Sequence, residues 1–283
     1  MGNPKLGIFG NCQGAEIERL FLIHKPLLER FDLVPIKPVY LMTTDDREAL
    51  AASMPQFDSF VCQLIGRHFD PVSTDALRSA SRGRFLVFPS LFFAGHLPDL
   101  MHFRPGAIEG SPTSYHSTII ASAFDKGLTE TDATAIYEDP AAISYPFLAE
   151  NYWKGIAELR ARELECDVTV SDFIARTGPS ARLFHTMNHP NHAVIRHVAS
   201  QLLDRLGVEP IPESPLDRLA MIKWPITGSV ANLFGIAKES LFPLGKSTST
   251  IAELVHDYFQ FYRDNLHVLE TNRTQLHPKW LSI

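Results

Sequence analysis

The first ninety residues alternate between short apolar runs and segments whose apolar positions have helical spacing. The runs predicted to be strands are Lys5–Gly10, Phe31–Leu41, Ser59–Ile65 and Arg84–Pro89, and the predicted helices are Cys12–Lys25, Asp45–Ser53 and Ser73–Ala80. Strands separated by helices of this length favour a parallel sheet covered on both faces. Because Pro35 and Pro38 interrupt the second strand, we expect that strand to lie at an edge of the sheet or to be broken.

The pattern changes after the fourth predicted strand. Residues 91–117 are rich in proline, glycine and hydroxyl side chains, and we interpret them as a long ordered loop lying over the sheet edge. Helical spacing returns in four later segments, which are Ser117–Lys126, Ala141–Cys166, Ala193–Leu206 and Thr250–Phe261. We therefore expect a three-layer α/β domain over residues 1–207, with a loop insertion around 91–117. Residues 208–283 are expected to form a mainly helical extension packed on it.

Composition and charge narrow the class of protein. The 283 residues are 45% hydrophobic and 20% charged, which is typical of a soluble globular protein. A formal net charge of −6 gives no general attraction to nucleic acid or to anionic membranes. No apolar run is long enough to span a membrane, and Met1–Lys5 leads directly into a strand rather than a signal peptide. We expect a cytoplasmic protein, and its oligomeric state stays open.

The three cysteines differ in their chemical prospects. Cys12, Cys62 and Cys166 are odd in number and widely spaced, which favours neither a disulfide framework nor a cysteine metal site. Cys12 lies where the first predicted strand meets the first helix, between two glycines in Gly10-Asn11-Cys12-Gln13-Gly14. Unpaired N–H groups and the positive end of the helix dipole face that position. We therefore predict a lowered pKa for the Cys12 thiol and a role as the reactive group.

Further candidate residues belong to the same edge of the predicted sheet. Ligands bind parallel sheets at the carboxyl ends of the strands, which brings the Gly10–Gly14 turn and Gln63 to one edge. The turn lacks the G-x-G-x-x-G pattern, but its N–H groups can still hold a phosphate. The predicted cofactor-binding residues are Gly10, Asn11, Gln13, Gly14, Gln63 and Arg67. Arg67 is chosen because it follows the third strand closely and can contact phosphate.

A cysteine nucleophile needs a base and an oxyanion site. His189 is the predicted base, and His116 is the alternative that the sequence leaves open. The N–H groups of Cys12, Gln13 or Gly14 would stabilise the oxyanion. Ser111, Tyr115 and His116, in the polar part of the loop, are predicted to bind a sugar substrate. The histidines at 185, 189, 192 and 197 lack a nearby carboxylate or cysteine, so we expect no metal site.

Two resemblances follow from these motifs. Ile8-Phe9-Gly10-Asn11-Cys12 is similar to the nucleophile block of SGNH/GDSL hydrolases, with cysteine in place of serine, and His189-Pro190-Asn191-His192 resembles their histidine block. Thr186 stands where those enzymes have an aspartate. A closer resemblance combines Gly-Asn-Cys-Gln-Gly, Gln63, Pro89-Ser90, Tyr115-His116-Ser117 and Asn188-His189-Pro190. Together these motifs resemble the WcbI-type acetyltransferases of polysaccharide biosynthesis over about Lys5 to Leu206.

The resemblance implies a fold and an activity. The fold would be an SGNH- or flavodoxin-like three-layer α/β sandwich. The activity would be acyl transfer from coenzyme A or acetyl-CoA, without a metal, to a sugar or capsule glycan. In that case Cys12 and His189 would be the catalytic residues. The alternatives are an SGNH-like acyl-ester hydrolase and a non-catalytic protein that binds glycan or CoA.

Overall fold

The structure is a computed structural model that describes residues 2–104, 108–211 and 217–281. Its strands are β1 Lys5–Phe9, β2 Asp32–Val34, β3 Ser59–Gln63, β4 Arg84–Phe88, β5 Leu100–Met101, β6 His116–Ser117, β7 Phe184–Thr186, β8 His189–Pro190, β9 Phe242–Leu244 and β10 Ser247–Ser249. Its helices are α1 Cys12–Leu22, α2 Lys25–Leu28, α3 Thr44–Ser53, α4 Thr74–Ala80, α5 Thr118–Asp125, α6 Glu130–Glu138, α7 Tyr145–Glu163, α8 Ser171–Thr177, α9 His192–Leu206, α10 Gly228–Phe234, α11 Ile251–Asp264 and α12 Leu266–Thr271. The predicted α/β class is confirmed.

The central sheet has four parallel strands in the order β2-β1-β3-β4. Leu6 of β1 lies opposite Leu33 on one side and Ser59 on the other. Every residue of β3 is buried, so the sheet is covered on both faces, as the prediction of a three-layer sandwich requires. β2 lies at the edge and is only three residues long, which confirms the placement inferred from the two prolines after it.

Helices cover the sheet with apolar faces that the sequence pattern anticipates. α1 buries Ile17 and Phe21 and packs against β1 and α9. On the β3–β4 side, Phe60 contacts Phe57 edge to face at 5.1 Å and stacks on Phe85 at 5.6 Å. Such pairs stabilise a core beyond the area that they bury. The carboxyl ends of β1 and β3 and the segment after β4 are thereby held at one edge.

Contacts divide the chain into two units. The first comprises Met1–Phe92, Ile156–Arg176 and His189–Leu219, and the second comprises Phe93–Gly155, Thr177–Asn188 and Ala220–Ile283. The division differs from the boundary expected after residue 207, because chain segments far apart in sequence contribute to each unit. The first unit contains the parallel sheet.

The second unit contains most of the segment predicted to be a loop. In it β5 and β6 pair antiparallel, with Leu100 opposite Ser117, and α5 packs against α6 and α11. Residues 105–107 of the predicted loop and 212–216 of the predicted extension lie outside the described residues. In the part of the chain that the structure describes, none of the helices combines the length and the apolar character that crossing a membrane requires.

Candidate functional site at the Cys12 turn

The turn between β1 and α1 holds Cys12 at the first position of the helix. Asn11 has extended backbone angles, and its side-chain Oδ1 accepts a hydrogen bond from the Gln13 N–H at 2.9 Å, which is a standard N-cap. Gly10 leaves room for close packing, since a Cβ at this position would lie 2.9 Å from Gln63 Oε1. The Gly10 carbonyl accepts a hydrogen bond from the Val39 N–H at 3.0 Å. The turn is therefore held by the Asn11 cap, by the hydrogen bond to the Gly10 carbonyl and by the close packing of Gly10 against Gln63.

Two buried glutamines anchor this turn to the neighbouring strands. Gln63 Oε1 accepts the Asn11 N–H at 2.8 Å, and Gln63 Nε2 donates to Gln13 Oε1 at 2.6 Å. Gln13 Oε1 also accepts the Leu91 N–H at 3.0 Å, and Gln13 Nε2 donates to the Leu91 carbonyl at 2.8 Å. Both side chains are almost fully buried. The amides that we expected to face a cofactor are thus used to hold the turn in place.

The N–H groups of the first turn of α1 divide into two pairs. The first four N–H groups of any helix have no carbonyl partner within the helix. Here the Asn11 N–H bonds to Gln63, and the Gln13 N–H bonds to the Asn11 cap. Those of Cys12 and Gly14 therefore remain as first-turn donors for a group outside the helix. Of the three amides predicted to stabilise an oxyanion, that of Gln13 is already used by the cap. The oxyanion role of the other two stays a prediction.

Cys12 itself has a raised pKa, so the prediction of a lowered value is wrong. Burial of the half-buried thiol is the largest cause, and the Glu16 carboxylate one turn further along raises the value as well. The N–H groups of Gln13 and Cys12 face the sulfur and act in the opposite direction, but with smaller effect. The N–H groups at the helix start do favour the thiolate, as the sequence indicated. Their effect on the pKa is smaller than that of desolvation.

The pKa shifts of the three cysteines predict how their thiols react with iodoacetamide. Burial raises the pKa of Cys62 and of Cys166 to about 12, and Cys62 is also closed to solvent. We expect Cys12 to alkylate first, slowly at pH 7 and about tenfold faster for each pH unit up to its pKa. Peptide mass spectrometry over a pH series measures this. A Cys12 that reacts at its full rate at pH 7 would contradict the raised pKa.

The other predicted catalytic residue, His189, belongs to the same unit and precedes α9. The Asn191 side chain caps α9 by accepting the N–H groups of Ala193 and Val194 at 3.1 and 3.2 Å. α9 packs against α1, the helix that begins with Cys12. The packing brings the segment that follows His189 to the helix that carries the thiol.

A small cavity lies where α1 meets α9. Glu16 and Leu20 of α1 line it together with His192 and Arg196 of α9 and with Asp217. Asp217 Oδ2 accepts the His192 backbone N–H at 3.1 Å and lies 3.6 Å from His192 Nδ1. Glu16 and Arg19 form an ion pair at 2.7 Å. This cavity therefore contains a histidine–carboxylate pair, and Glu16, one helical turn after Cys12, is part of its wall.

Sequence reasoning missed Glu16 and Asp217. Glu16 follows Cys12 by four residues, so helical spacing alone places both on one face and would have indicated it. Asp217 is 25 residues from His192, and no local pattern connects them. Within the described residues, no group of three histidine, cysteine or acidic side chains is arranged to hold a metal ion.

The remaining predicted residues are placed less favourably for ligand contact. Arg67 is exposed and pairs with Asp75 at 3.1 Å, an arrangement that contributes little to stability. Ser111 Oγ donates to the Thr113 carbonyl at 2.7 Å. Tyr115 is buried, and its hydroxyl donates to Asn188 Oδ1 at 2.6 Å. Tyr115 and Ser111 belong to the second unit and serve its internal packing there.

His116 is a core residue of the second unit. Its ring is fully buried, stacks on Phe103 at a centroid distance of 4.4 Å, and Nδ1 bonds to the Tyr262 hydroxyl at 2.9 Å. Burial lowers the pKa of His116 to about 4, so the ring is neutral at pH 7. A side chain enclosed in this way is not open to a dissolved sugar. The prediction of His116 as a substrate-binding residue is therefore corrected, because its ring is packed in the core of the second unit. Its alternative role as base stays a prediction.

Comparison with known proteins agrees with this fold. A solved structure of WcbI, described as a novel polysaccharide biosynthesis enzyme, has a TM-score of 0.83 over 99% of this chain and 97% of that one, at 21% identity. That structure is described as the native protein without a disulfide bond between CoA and a cysteine. No curated protein matches the chain. The family model for the polysaccharide biosynthesis enzyme WcbI matches residues 5–211, and the chain therefore belongs to the WcbI family of polysaccharide biosynthesis enzymes.

Proposed function

We propose that this protein binds coenzyme A or acyl-CoA at the Cys12 turn and transfers the acyl group, acetyl in the simplest case, to a hydroxyl of a carbohydrate or surface-polysaccharide precursor. The observation that carries the proposal is the turn itself. A half-buried thiol begins α1, and the Cys12 and Gly14 amides beside it are first-turn donors with no partner inside the helix. The CoA described in the WcbI structure supports the choice of donor.

The backbone N–H groups of the turn are suited to a thioester substrate. Developing negative charge on a thioester carbonyl oxygen is stabilised by aimed N–H groups, and the two first-turn amides can supply them. The positive end of α1 acts in the same sense. Arg67 is the proposed contact for a CoA phosphate, because its exposed ion pair with Asp75 is weak and a phosphate can replace the carboxylate. Bound acyl-CoA would supply an activated acyl group, with the CoA thiolate as a good leaving group.

Two routes are compatible with these residues. In the direct route His189 takes the proton of the acceptor hydroxyl, the hydroxyl oxygen bonds to the acyl carbon, and the CoA thiolate leaves and is protonated. In the covalent route His189 takes the Cys12 thiol proton, the sulfur bonds to the acyl carbon, and the CoA thiolate leaves and is protonated. The acceptor hydroxyl then gives its proton to His189 as its oxygen bonds to the acyl carbon, and the Cys12 thiolate leaves and is protonated. Because burial raises the pKa of Cys12, the thiol is protonated at neutral pH and the covalent route needs a base to ionise it. His189 is proposed for that role in either route.

Calorimetry with CoA and acetyl-CoA tests the proposal first. We expect saturable binding of both ligands in the presence of a phosphine reductant, which prevents a mixed disulfide from being counted as affinity. Cys12→Ala is expected to bind within a few fold of the unchanged protein, because its backbone N–H groups remain. Cys166→Ala is the matched control on a cysteine outside the turn. Absence of binding to both ligands would remove the main support for the proposal.

Release of the CoA thiol on addition of a glycan acceptor is the second measurement. Hydrolysis of simple aryl esters without CoA would instead favour an SGNH-like hydrolase. Binding of glycan or CoA without turnover of either substrate would favour an accessory role.

A further inference from the structure

The second unit carries an open groove that the Cys12 chemistry does not use. It consists of two adjoining depressions of about 260 and 220 Å³ that share Tyr145 and Leu233 as lining residues. The first turns of α7 form one wall, and α10 contributes to the other. All of the described residues that line it belong to the second unit, so the groove is complete within that unit.

The lining of this groove carries no formal charge. Among the described residues that line the two depressions there is no Asp, Glu, Lys, Arg or His, although 20% of the chain is charged. The polar side-chain groups that line it are the hydroxyls of two serines and two tyrosines, the Asn232 amide and the Trp153 indole N–H. A phosphate, a carboxylate or a polycation would lose hydration here without gaining an opposite charge. The groove therefore fits a neutral ligand.

Aromatic rings stand exposed along one wall. Tyr145, Ala149, Tyr152 and Trp153 are spaced i, i+4, i+7 and i+8, which places them on one face of α7. Tyr145 is 66% exposed and Trp153 is 54% exposed. Tyrosine and tryptophan present an apolar face with a polar edge, which is the surface that suits partly apolar, partly polar ligands. The CH-bearing faces of sugar rings are such a surface.

Buried aromatic rings support the Trp153 end of this wall. Tyr152 is buried and contacts Trp153 at 5.4 Å and Phe234 at 5.2 Å between ring centroids. Beneath them His96 contacts Phe234 at 4.9 Å, and burial lowers the pKa of His96 to about 4. The supporting histidine is therefore neutral at pH 7 and adds no charge. Exposed rings on a fixed base lose little conformational freedom when a ligand stacks on them.

We propose that this groove binds a neutral stretch of a carbohydrate chain, with Tyr145 and Trp153 as stacking platforms. The choice of a carbohydrate as ligand rests on the proposed function, in which a glycan is the acceptor. The position of the binding site and the absence of charge on the ligand are inferred from the lining of the groove. About 12 Å of helix separates residues eight apart, so the two rings contact an extended chain rather than a single small molecule. The groove would hold the acceptor polymer, separately from the acyl donor.

Binding to a panel of purified polysaccharides tests this proposal. The panel contains neutral glucans, mannans and heteropolysaccharides and, for contrast, polygalacturonate and a sulfated glycan. We expect binding to at least one neutral polymer, with a change in tryptophan fluorescence, and none to the anionic ones. Trp153→Ala and Tyr145→Ala are each expected to weaken binding about tenfold. Tyr40→Ala, at a tyrosine 61% exposed in the first unit, is the matched control and should bind normally.

Three outcomes would overturn the proposal. They are absence of binding to every neutral polymer, preference for the anionic polymers, and full binding by the Trp153 and Tyr145 variants. Light scattering on the same samples adds a further one: a dimer that Trp153→Ala dissociates would identify the surface as an interface between copies. Thermal unfolding verifies that each variant is folded. CoA calorimetry on the same variants should be unchanged, so failure of the groove and failure of the donor site give different results.

Discussion

Replacing His189 by alanine is expected to lower acyl transfer by about 10²- to 10⁴-fold, the usual contribution of a general base. The residue begins β8, just ahead of α9, the helix that packs against α1. In both proposed routes a proton must leave a hydroxyl or a thiol before the acyl carbon is attacked, and the raised pKa of Cys12 makes this requirement stricter. CoA release in the presence of acceptor measures the rate. His68→Ala, an exposed histidine in the same unit, is the control and should retain full activity.

Cys12→Ser separates the two routes in the same assay. If transfer is direct, the serine variant keeps activity within about tenfold, because no bond forms at this side chain. If an acyl-cysteine forms, the loss is at least about 10²-fold, since an unactivated hydroxyl is the weaker nucleophile. A protein that keeps its rate without His189 but loses it with Cys12→Ser would contradict direct transfer.

His192 provides an internal comparison for the assignment of the base. Its ring lies 3.6 Å from the Asp217 carboxylate and lines the cavity that Glu16 also lines. A contact of this kind orients the imidazole ring. The comparison uses both alanine variants in the same assay. If His192→Ala lowers the rate by about 10²-fold or more and His189→Ala leaves it unchanged, the base is His192. The pH profile of kcat then identifies the group that must be deprotonated.

Local sequence features predicted the strands, the first helix and the position of Cys12. The apolar runs and the glycine-flanked turn are readable within about fifteen residues, and Pro35 and Pro38 locate the edge strand without tertiary information. The sign of the Cys12 pKa shift depends on burial by other segments, which a local pattern does not contain. The helix start was predicted correctly, but the larger opposing effect arises only in the folded chain.

Long-range pairing explains the other differences. Gln13 and Gln63 are 50 residues apart in the sequence. Two side-chain amides at one sheet edge can contact either a ligand or each other, and in the structure they bond to each other. His116 follows a polar run typical of an exposed loop, yet α11 supplies Tyr262 as its partner and encloses it. Neither outcome is encoded by neighbouring residues, because each depends on where a distant segment packs.

The glutamine pair also gives the largest expected effect on stability. Gln63→Met retains the length and most of the volume of the side chain but removes its donor and its acceptor. The half-buried Asn11 N–H then loses its bond, and the buried Gln13 Oε1 loses the Gln63 donor while keeping the Leu91 N–H. A buried polar group without a partner costs about 1–3 kcal/mol, and a lost hydrogen bond about 1 kcal/mol. We expect the free energy of unfolding to fall by about 2–4 kcal/mol, as measured by urea denaturation.

The matched control is Gln56→Met, at an exposed glutamine in the same unit, which should change stability by less than about 0.5 kcal/mol. Under native conditions Gln63→Met should also weaken CoA binding, because Asn11 loses the anchor that fixes the cap and, through it, the Cys12 and Gly14 amides. Loss of stability with unchanged CoA affinity would show that the turn keeps its geometry without the glutamine pair. Unchanged stability would mean that the Gln63 hydrogen bonds are replaced by water, and the anchoring role assigned to this side chain would be withdrawn.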